Sequence, residues 1–577
     1  MKAVSIHIHN FRTFDDADIS LLPYSLLLGV NNCGKSNLID AIRVFYEKEI
    51  KYDELRDFPK YQTKDNESWI EIEFQPTSNE LVTLKEEYKT KNGTFRVRKY
   101  LQSNELDDEK KPKNGIFAYV DGRLSNTRFY GAKNVSQGKL GEIIYIPAVS
   151  RLDEQTKLTG PSALRDLINS VLKKVMDSSP AYVGLKSAFD EFNGKIKNEA
   201  TDRGRSLQTI EQEISTEIDN WGTSFEFFIN PVTPEDLVKN LIGHRIQDKA
   251  LGQFQDSKSY GQGFQRHLIF TLIKLSAKYN ATEKTTNTKE FSPQLTWLLF
   301  EEPEAFLHPS QIDALDINLR MIAKNDDNQV LITTHNPEFV SKNIEDIPSL
   351  VRLCRNKATT TVGQVSSETL RKIFTENIQA STSWSSNSKI RISPDDFNED
   401  MESIKYALWL DARRSSAFFA NRVLLVEGPT ESALIGYLLG IGAVPSLAGV
   451  GGVFILDCMG KFNIHRFMNL LGEMHIPHGV LVDNDNGKYP EVDTTIQLAR
   501  NSYTLEIEQF REDIERFLNI PPTEGNRKPQ HVMWYVTQGH ISQTNLQELI
   551  MKIKSALKLP ESESNFSNEK EPEVLSL

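Results

Sequence analysis

Gly29-Val30-Asn31-Asn32-Cys33-Gly34-Lys35-Ser36 follows the apolar run Leu26-Leu27-Leu28 and precedes Leu38, Ile39, Ile42, Val44 and Phe45, which recur at helical spacing. A strand turning into a helix through a glycine-rich loop is the context a phosphate-binding loop requires. Glycines let backbone N–H groups approach phosphate oxygens, a lysine reaches the β- and γ-oxygens, and a hydroxyl ligates Mg²⁺. Asn31, Asn32, Gly34, Lys35, Ser36 and Asn37 are the expected nucleotide contacts, with Ser36 on the metal.

Such a loop needs a carboxylate at the end of a neighbouring strand, and Trp297-Leu298-Leu299-Phe300-Glu301-Glu302-Pro303-Glu304 supplies one. Glu301 is expected to hold Mg²⁺, and Glu302 to orient and deprotonate the attacking water. A further apolar strand, Val330-Leu331-Ile332-Thr333-Thr334, ends at His335, where an imidazole can contact the γ-phosphate. Ser259-Tyr260-Gly261-Gln262-Gly263-Phe264-Gln265-Arg266 opens a helix marked by Leu268, Ile269, Leu272, Ile273 and Leu275. Small residues at a helix N-terminus suit an anion, which makes Ser259, Gly261 and Gly263 a candidate anion site, placed in chain order between the loop and the paired acids.

The C-terminal third carries a second set of strand ends. Val423 to Val426 delivers Glu427-Gly428-Pro429-Thr430-Glu431; Val453 to Leu456 ends at Asp457, with Gly460 and Lys461 beyond; Gly479 to Val482 ends in Asp483-Asn484-Asp485-Asn486. In an open α/β sheet the carboxyl ends of strands share one crevice, so Glu427, Asp483 and Asp485 should converge. Clustered carboxylates repel unless a divalent cation joins them, and hard Mg²⁺ suits oxygen ligands.

Bulk properties narrow the class. The chain has 577 residues, 39% of them hydrophobic and 25% charged, the balance of a soluble multidomain protein. No apolar run approaches a membrane span and the first ten residues carry no signal-peptide pattern, so a cytoplasmic, membrane-free protein is expected. Cys33, Cys354 and Cys458 are scattered and odd in number, which builds neither a disulfide frame nor a zinc site. The net charge of -12 argues against a surface that coats DNA without specificity. Lys89, Lys91, Arg96, Arg98 and Lys99 form a local basic stretch, read first as the solvated face of a hairpin.

The pattern of segments places a strand-rich part at 1–160, a helical insertion at 161–255, returning strand–helix alternation at 256–375, a linker at 376–412, an α/β domain at 413–560 and an acidic tail at 561–577. Within the insertion, Leu164, Leu167, Ile168, Val171, Leu172 and Val175 form one apolar face, and Leu207, Ile210, Ile214 and Ile218 another; these suit packing on the core or a dimerisation arm.

The order of loop, Ser/Gly signature, paired acids and histidine resembles ABC-type ATPases of the SMC and RecF-like branch, whose opening motif matches Ile8-His9-Asn10-Phe11-Arg12-Thr13-Phe14. The C-terminal carboxylates resemble a Toprim domain. Their union resembles the OLD (overcoming lysogenization defect) family of nucleases, the circle of the Gabija and retron-associated defence nucleases, and "LFEEPEAFLHP" from Leu299 to Pro309 is typical of it. The resemblance implies an α/β fold: an N-terminal ABC-type P-loop ATPase with a helical insertion and a C-terminal Toprim α/β domain. It implies ATP and Mg²⁺ (or Mn²⁺) as cofactors, double-stranded DNA as substrate, and a homodimer or higher homo-oligomer in which the signature binds the ATP of a second subunit. A second defence protein or an RNA–DNA component would be the further partner.

Under that resemblance Glu302 and His335 serve ATP hydrolysis. Glu427, Asp483 and Asp485 hold metal for phosphodiester cleavage, with Glu431, Gly460 and Lys461 in support. The family's late Leu-Glu pair falls on Asn545-Leu546-Gln547-Glu548-Leu549, which makes Glu548 the candidate metal ligand and Lys552 and Lys554 the candidates for a late catalytic lysine. The function so implied is an ATP-regulated, divalent-metal-dependent DNA endonuclease of anti-phage defence. Two alternatives stay open: a Toprim strand-passage or primase-type enzyme, and an SMC-like DNA clamp without nuclease activity.

Overall fold

The computed structural model describes residues 1–131, 140–148, 164, 168, 179–280, 291–384, 398–444 and 452–559, apart from 48, 108–109, 197–198, 202–203, 228–244, 256–258, 292, 294, 306, 341–343 and 524. Most of the apolar face expected over Leu164 to Val175, the middle of the expected linker and the acidic tail therefore lie outside the described residues. Two compact units emerge: Met1–Tyr145, Glu290–Glu304 and Ile312–Leu577 form the first, Ile146–Lys289 and Ala305–Gln311 the second.

The first unit opens with an antiparallel sheet of β1 (Lys2–Phe11), β2 (Phe14–Ser20), β4 (Ser68–Gln75), β5 (Phe95–Gln102), β6 (Gly115–Val120) and β7 (Arg123–Arg128), in the order β2-β1-β4-β5-β6-β7. Alternation sends Ile6, Ile8, Ile72, Phe74, Phe95 and Val97 to one face, where they meet Leu38, Ile42 and Phe45 of the Lys35–Tyr46 helix. The same alternation divides the basic stretch. Arg96 and Arg98 face outward and pair with Glu73 and Glu71, whereas Lys99 points inward, is buried, and donates to the carbonyls of Val44 and Phe45. No continuous basic face results.

A second sheet holds β3 (Tyr24–Leu28), β8 (Glu142–Ile146), β11 (Thr296–Glu301), β12 (Asn328–Thr333), β13 (Leu350–Asn356) and β14 (Thr359–Gly363), in the order β14-β13-β3-β12-β11-β8. β3 runs parallel to both β12 and β13, and β11 parallel to β12. Every residue of β3 is buried, which explains why it reads as an unbroken apolar run.

The third sheet is parallel throughout, β16-β15-β17-β18, from β15 (Arg422–Val426), β16 (Val453–Asp457), β17 (His478–Asp483) and β18 (Thr504–Phe510). Helices Pro429–Gly440 and Gln543–Ala556 pack with it around Leu424, Val426, Leu434, Leu438, Leu481 and Ile553, and Ile464–Glu473 also lies against β15 and β17. A side chain on Gly479 would collide with the Ala556 carbonyl, so glycine lets the last helix lie directly on β17.

The stretch 376–412 is helical on both sides of residues 385–397, in Ser367–Ser383 and Glu399–Trp409. Both helices dock on Ile464–Glu473: Arg466 makes a two-pronged pair with Glu402, 2.9 Å on each arm, and donates to Ser381 Oγ at 2.9 Å. Tyr406 donates to the Arg466 carbonyl at 2.8 Å and accepts from Asn377 at 3.1 Å.

The second unit contains helices Pro180–Ile196, Leu207–Ile218 and Gln262–Asn280 and the hairpin of β9 (Ile246–Asp248) and β10 (Gln253–Gln255). The Leu207–Ile218 helix is capped by Ser206, which accepts from the Thr209 N–H, and none of its residues is buried. Among the described residues no helix is long and apolar enough to cross a membrane.

Glu402→Ala would strand the buried Arg466 charge and should destabilise the protein by ~3–5 kcal/mol, measured by denaturant unfolding. Despite burial, Arg466 and then Lys405 hold the Glu402 carboxyl below its ordinary value. That contribution is present above the usual carboxylate range and is lost as pH falls through the depressed value, so wild type and variant should converge in acid.

Candidate active sites

The first site forms where β3 meets the Lys35–Tyr46 helix. Gly29 and Gly34 have φ of 136° and 111°, and a side chain on Gly34 would press on Thr360. Lys35 is buried and donates to the carbonyls of Gly29 at 2.8 Å and Val30 at 3.1 Å. Burial lowers its pKa, an effect opposed by Cys33 and then by Glu302, Glu304 and Glu301. The opening motif braces the helix from behind. Arg12 pairs with Asp40 at 2.7 Å and Asp57 at 2.9 Å and donates to Asn37 at 3.3 Å, while Asn37 donates to Thr13 at 2.9 Å.

Because β11, β12 and β3 are parallel neighbours, their carboxyl ends lie side by side. Glu301 accepts from the Tyr145 hydroxyl at 3.1 Å. Glu302 has φ of 43°, an unusual conformation for a non-glycine residue, held by its N–H donating to the Thr333 carbonyl at 2.8 Å. His335 Nε2 lies 3.5 Å from Glu302 Oε1, and burial, then Lys35, lowers the imidazole pKa, so the ring is neutral at pH 7. Glu304 accepts from the Thr334 hydroxyl and the His335 N–H, both at 2.8 Å, and thereby fixes the loop that carries His335. The signature residues belong to the second unit, where Gln265 donates to the Tyr260 carbonyl at 2.7 Å at the start of the Gln262–Asn280 helix.

The second site crowns the parallel β16-β15-β17-β18 sheet. Glu427 follows β15 and accepts from the Asp483 N–H at 2.7 Å, which links the ends of two adjacent strands. Glu431, on the first turn of Pro429–Gly440, accepts from the Gly428 N–H at 3.0 Å. Lys461 is buried; it donates to the Asp483 carbonyl, pairs with Asp493 at 2.8 Å and lies 3.4 Å from Asp485. Burial pushes the carboxyls of Glu427, Glu431 and Asp483 above the ordinary range, and their mutual repulsion adds to it.

A residue absent from the sequence reading completes this set. Glu515, on the short Ile514–Phe517 turn beyond β18, is buried and lies within electrostatic reach of Asp483 and Glu431. Lys528 pairs with it at 3.1 Å and also feels Asp483. Glu548 stands elsewhere: it is exposed on the Gln543–Ala556 helix, and among the described residues no ion pair or hydrogen bond ties it to the cluster. Its helix offers the sheet Leu549 and Ile553, which turns Glu548 away. Ile514-Glu515 thus brings to the cluster a carboxylate that the Gln543–Ala556 helix does not. Lys552 is 3.3 Å from Glu508 on β18, whereas Lys528 pairs with Glu515 of the cluster.

Only oxygen donors gather here, in keeping with a hard divalent ion. Among the described residues no three of them already surround a common point, and Lys461 and Lys528 supply positive charge beside Asp485 and Glu515.

A P-loop sheet with paired acids, followed by a parallel sheet with a carboxylate crown, defines an ATPase joined to a Toprim domain. The chain belongs to the AAA ATPase domain family, which matches residues 1–340, and residues 418–485 match the overcoming lysogenization defect protein-like TOPRIM domain. Similar relatives include the Old nuclease of Escherichia phage P2, 22% identical over 84% of this chain and 77% of that protein. Endonuclease GajA of Bacillus cereus (strain VD045) is 23% identical over 84% of this chain and 75% of that protein. Among solved structures, the SmcHead bound to the C-winged helix domain of ScpA is 14% identical and covers 64% of this chain and 100% of that chain, with a TM-score of 0.36.

The raised carboxyls set a pH dependence. Glu427 and Asp483 titrate together near 8 and 9 when folded, against 4.5 and 3.8 ordinarily, so the metal-free protein loses stability as pH rises through that interval. Mg²⁺ should therefore raise the melting temperature more at pH 9 than at pH 6. Differential scanning fluorimetry at both pH values measures this, and an equal shift would remove these carboxyls from metal binding.

Proposed function

We propose that this chain is an ATP-regulated, divalent-metal-dependent endonuclease that cuts double-stranded DNA in anti-phage defence and works as a homodimer or higher oligomer. The observation that carries the reading is the link of Glu427 to the Asp483 N–H across the carboxyl ends of adjacent strands, with Glu431 and Glu515 within electrostatic reach, in a sheet matched to an OLD-like Toprim domain. The relatives named as nucleases support it.

In this reading Glu427, Asp483 and Asp485 would hold one Mg²⁺ or Mn²⁺, and Glu431 with Glu515 would offer oxygens for a second. The bound ions would supply charge neutralisation and an activated water at the scissile phosphate. Lys528 meets the negative charge that develops on the phosphate, and Lys461 keeps Asp485 and Asp493 aligned. At the ATPase site Lys35 and Ser36 would hold the β- and γ-phosphates and their Mg²⁺, Glu301 would support that ion, Glu302 would take the proton of the attacking water, and His335 would meet the γ-phosphate. The Ser259, Gly261 and Gly263 cluster would complete the ATP site of a second subunit.

The two chemistries should separate. Asp483→Ala and Glu427→Ala should abolish plasmid nicking with Mg²⁺ or Mn²⁺ while phosphate release from ATP stays within about twofold of wild type, since the P-loop ion has its own ligands. Wild-type nicking in both variants would hand the protein to the clamp reading. Lys35→Ala should lose ATP binding, and Glu302→Gln should bind ATP but stall, lowering turnover by roughly 10²-fold or more as expected for a lost general base.

A further inference from the structure

Arg352 lies in the middle of β13, directly beside Leu28, the last residue before the phosphate loop. Its side chain is buried, and among the described residues it forms no ion pair. The guanidinium instead donates three times to backbone carbonyls: Nε to Phe418 at 3.2 Å, Nη2 to Ala420 at 2.9 Å and Nη1 to His475 at 2.8 Å. Phe418 and Ala420 lie just ahead of β15, which begins at Arg422, and His475 just ahead of β17, which begins at His478. One arginine thus clasps the feet of the two strands whose far ends carry Glu427 and Asp483. The Val423 N–H, which donates to the Pro477 carbonyl at 3.0 Å, ties the same two feet together.

The other side of the hairpin grips the phosphate loop. A side chain on Gly29 would collide with the Leu353 carbonyl, Arg355 donates to Asn32 at 3.4 Å, and the Thr360 hydroxyl donates to the Cys33 carbonyl at 2.9 Å. Gly363, which ends β14, rests against the Met474 carbonyl at the foot of β17. Phosphates that engage Lys35 would draw it from the Gly29 and Val30 carbonyls, in a loop that these contacts hold against β13 and β14.

We propose that Arg352 is a positioning residue that couples the state of the nucleotide loop to the spacing of the Toprim strands, through three carbonyls at the feet of β15 and β17. The proposal rests on the nuclease reading for its effect on cleavage, but not for the coupling itself. A buried guanidinium is tolerable only with its donors satisfied, so the fork holds the three carbonyls in one arrangement. Parallel strands are stiff rods of about 3.3 Å per residue, and a tilt at their feet reaches the carboxylates at their tips.

Hydrogen exchange on the full chain, with and without Mg²⁺ and a non-hydrolysable ATP analogue, tests this directly. In wild type the amides around 418–423 and 475–480 should change protection together with the phosphate loop. In Arg352→Met, the loop should still respond and the strand feet should not. Plasmid nicking gives the second readout: nucleotide should change the wild-type rate by about fivefold or more, and Arg352→Met should keep a basal rate with the nucleotide effect gone. Arg352→Lys, which retains the charge but reaches fewer carbonyls, should fall between them and serves if the methionine variant does not fold. Silent strand feet in wild type, or an undiminished response in the folded variants, would overturn the coupling. Absence of any nicking would defeat the nuclease reading instead, while exchange still decides the role of Arg352.

Discussion

Parallel pairing is the constraint from which both sites follow. β3 is flanked by β12 and β13 in parallel register, with Leu27 opposite Thr333 and Leu28 opposite Arg352, so loop, histidine and acids emerge from one edge of one sheet. β15, β16 and β17 repeat the arrangement, with Val426 opposite both Asp457 and Leu481. Strands covered on both faces admit few polar side chains along their length. The chemistry is displaced to the last residue or just past it, as Glu301, Glu302, Glu427 and Asp483 illustrate. The strained backbone of Glu302 marks the place where a strand must stop and still aim its neighbour at the loop.

The two edges solve the same electrostatic problem differently. At the P-loop a single buried ammonium, Lys35, faces Glu301, Glu302 and Glu304. At the Toprim edge the acids outnumber their cations. Lys461 pairs with Asp493 and Asp485 and Lys528 with Glu515, while Glu427 and Asp483 are joined through a backbone N–H and, among the described residues, neither forms an ion pair. Burial first, and then repulsion between neighbouring carboxyls, raises their pKa, with Lys461 opposing only in part at Glu427, and carboxyls so placed keep a proton or accept a cation.

What was legible in the sequence is what local pattern encodes. Gly29 to Ser36, Glu301-Glu302 and the Glu427 and Asp483 strand ends each sit where an apolar run meets a polar turn, and the folded chain keeps them there. Glu515 was hidden because Glu512-Asp513-Ile514-Glu515-Arg516 has the look of a solvated charged turn; only the return of β18 beside β17 buries it. Glu548 drew attention through its Leu-Gln-Glu-Leu setting, but helical phase gives the sheet its leucines and gives solvent the glutamate. Lys99 belonged to an apparent basic stretch until strand alternation sent it inward against Val44 and Phe45. Arg352 is the extreme case: Leu-Val-Arg-Leu suggests an edge strand with one solvated charge, and nothing local says that another sheet will cover it.

Carbonyl acceptors give that arginine a character a carboxylate would not. An ion pair tolerates sliding, since Coulomb attraction varies gently with distance. Three carbonyls do not neutralise the charge; they stabilise it only through directed bonds, each of which weakens steeply with misalignment. Displacing one strand foot would leave a buried guanidinium short of an acceptor, a cost of about 1–3 kcal/mol for each unsatisfied polar group and more when the group is charged. The junction between β13 and the feet of β15 and β17 is therefore built to sit in one geometry or to leave it in a step, and packed interfaces of that kind respond to a nearby ligand by switching between arrangements instead of bending continuously.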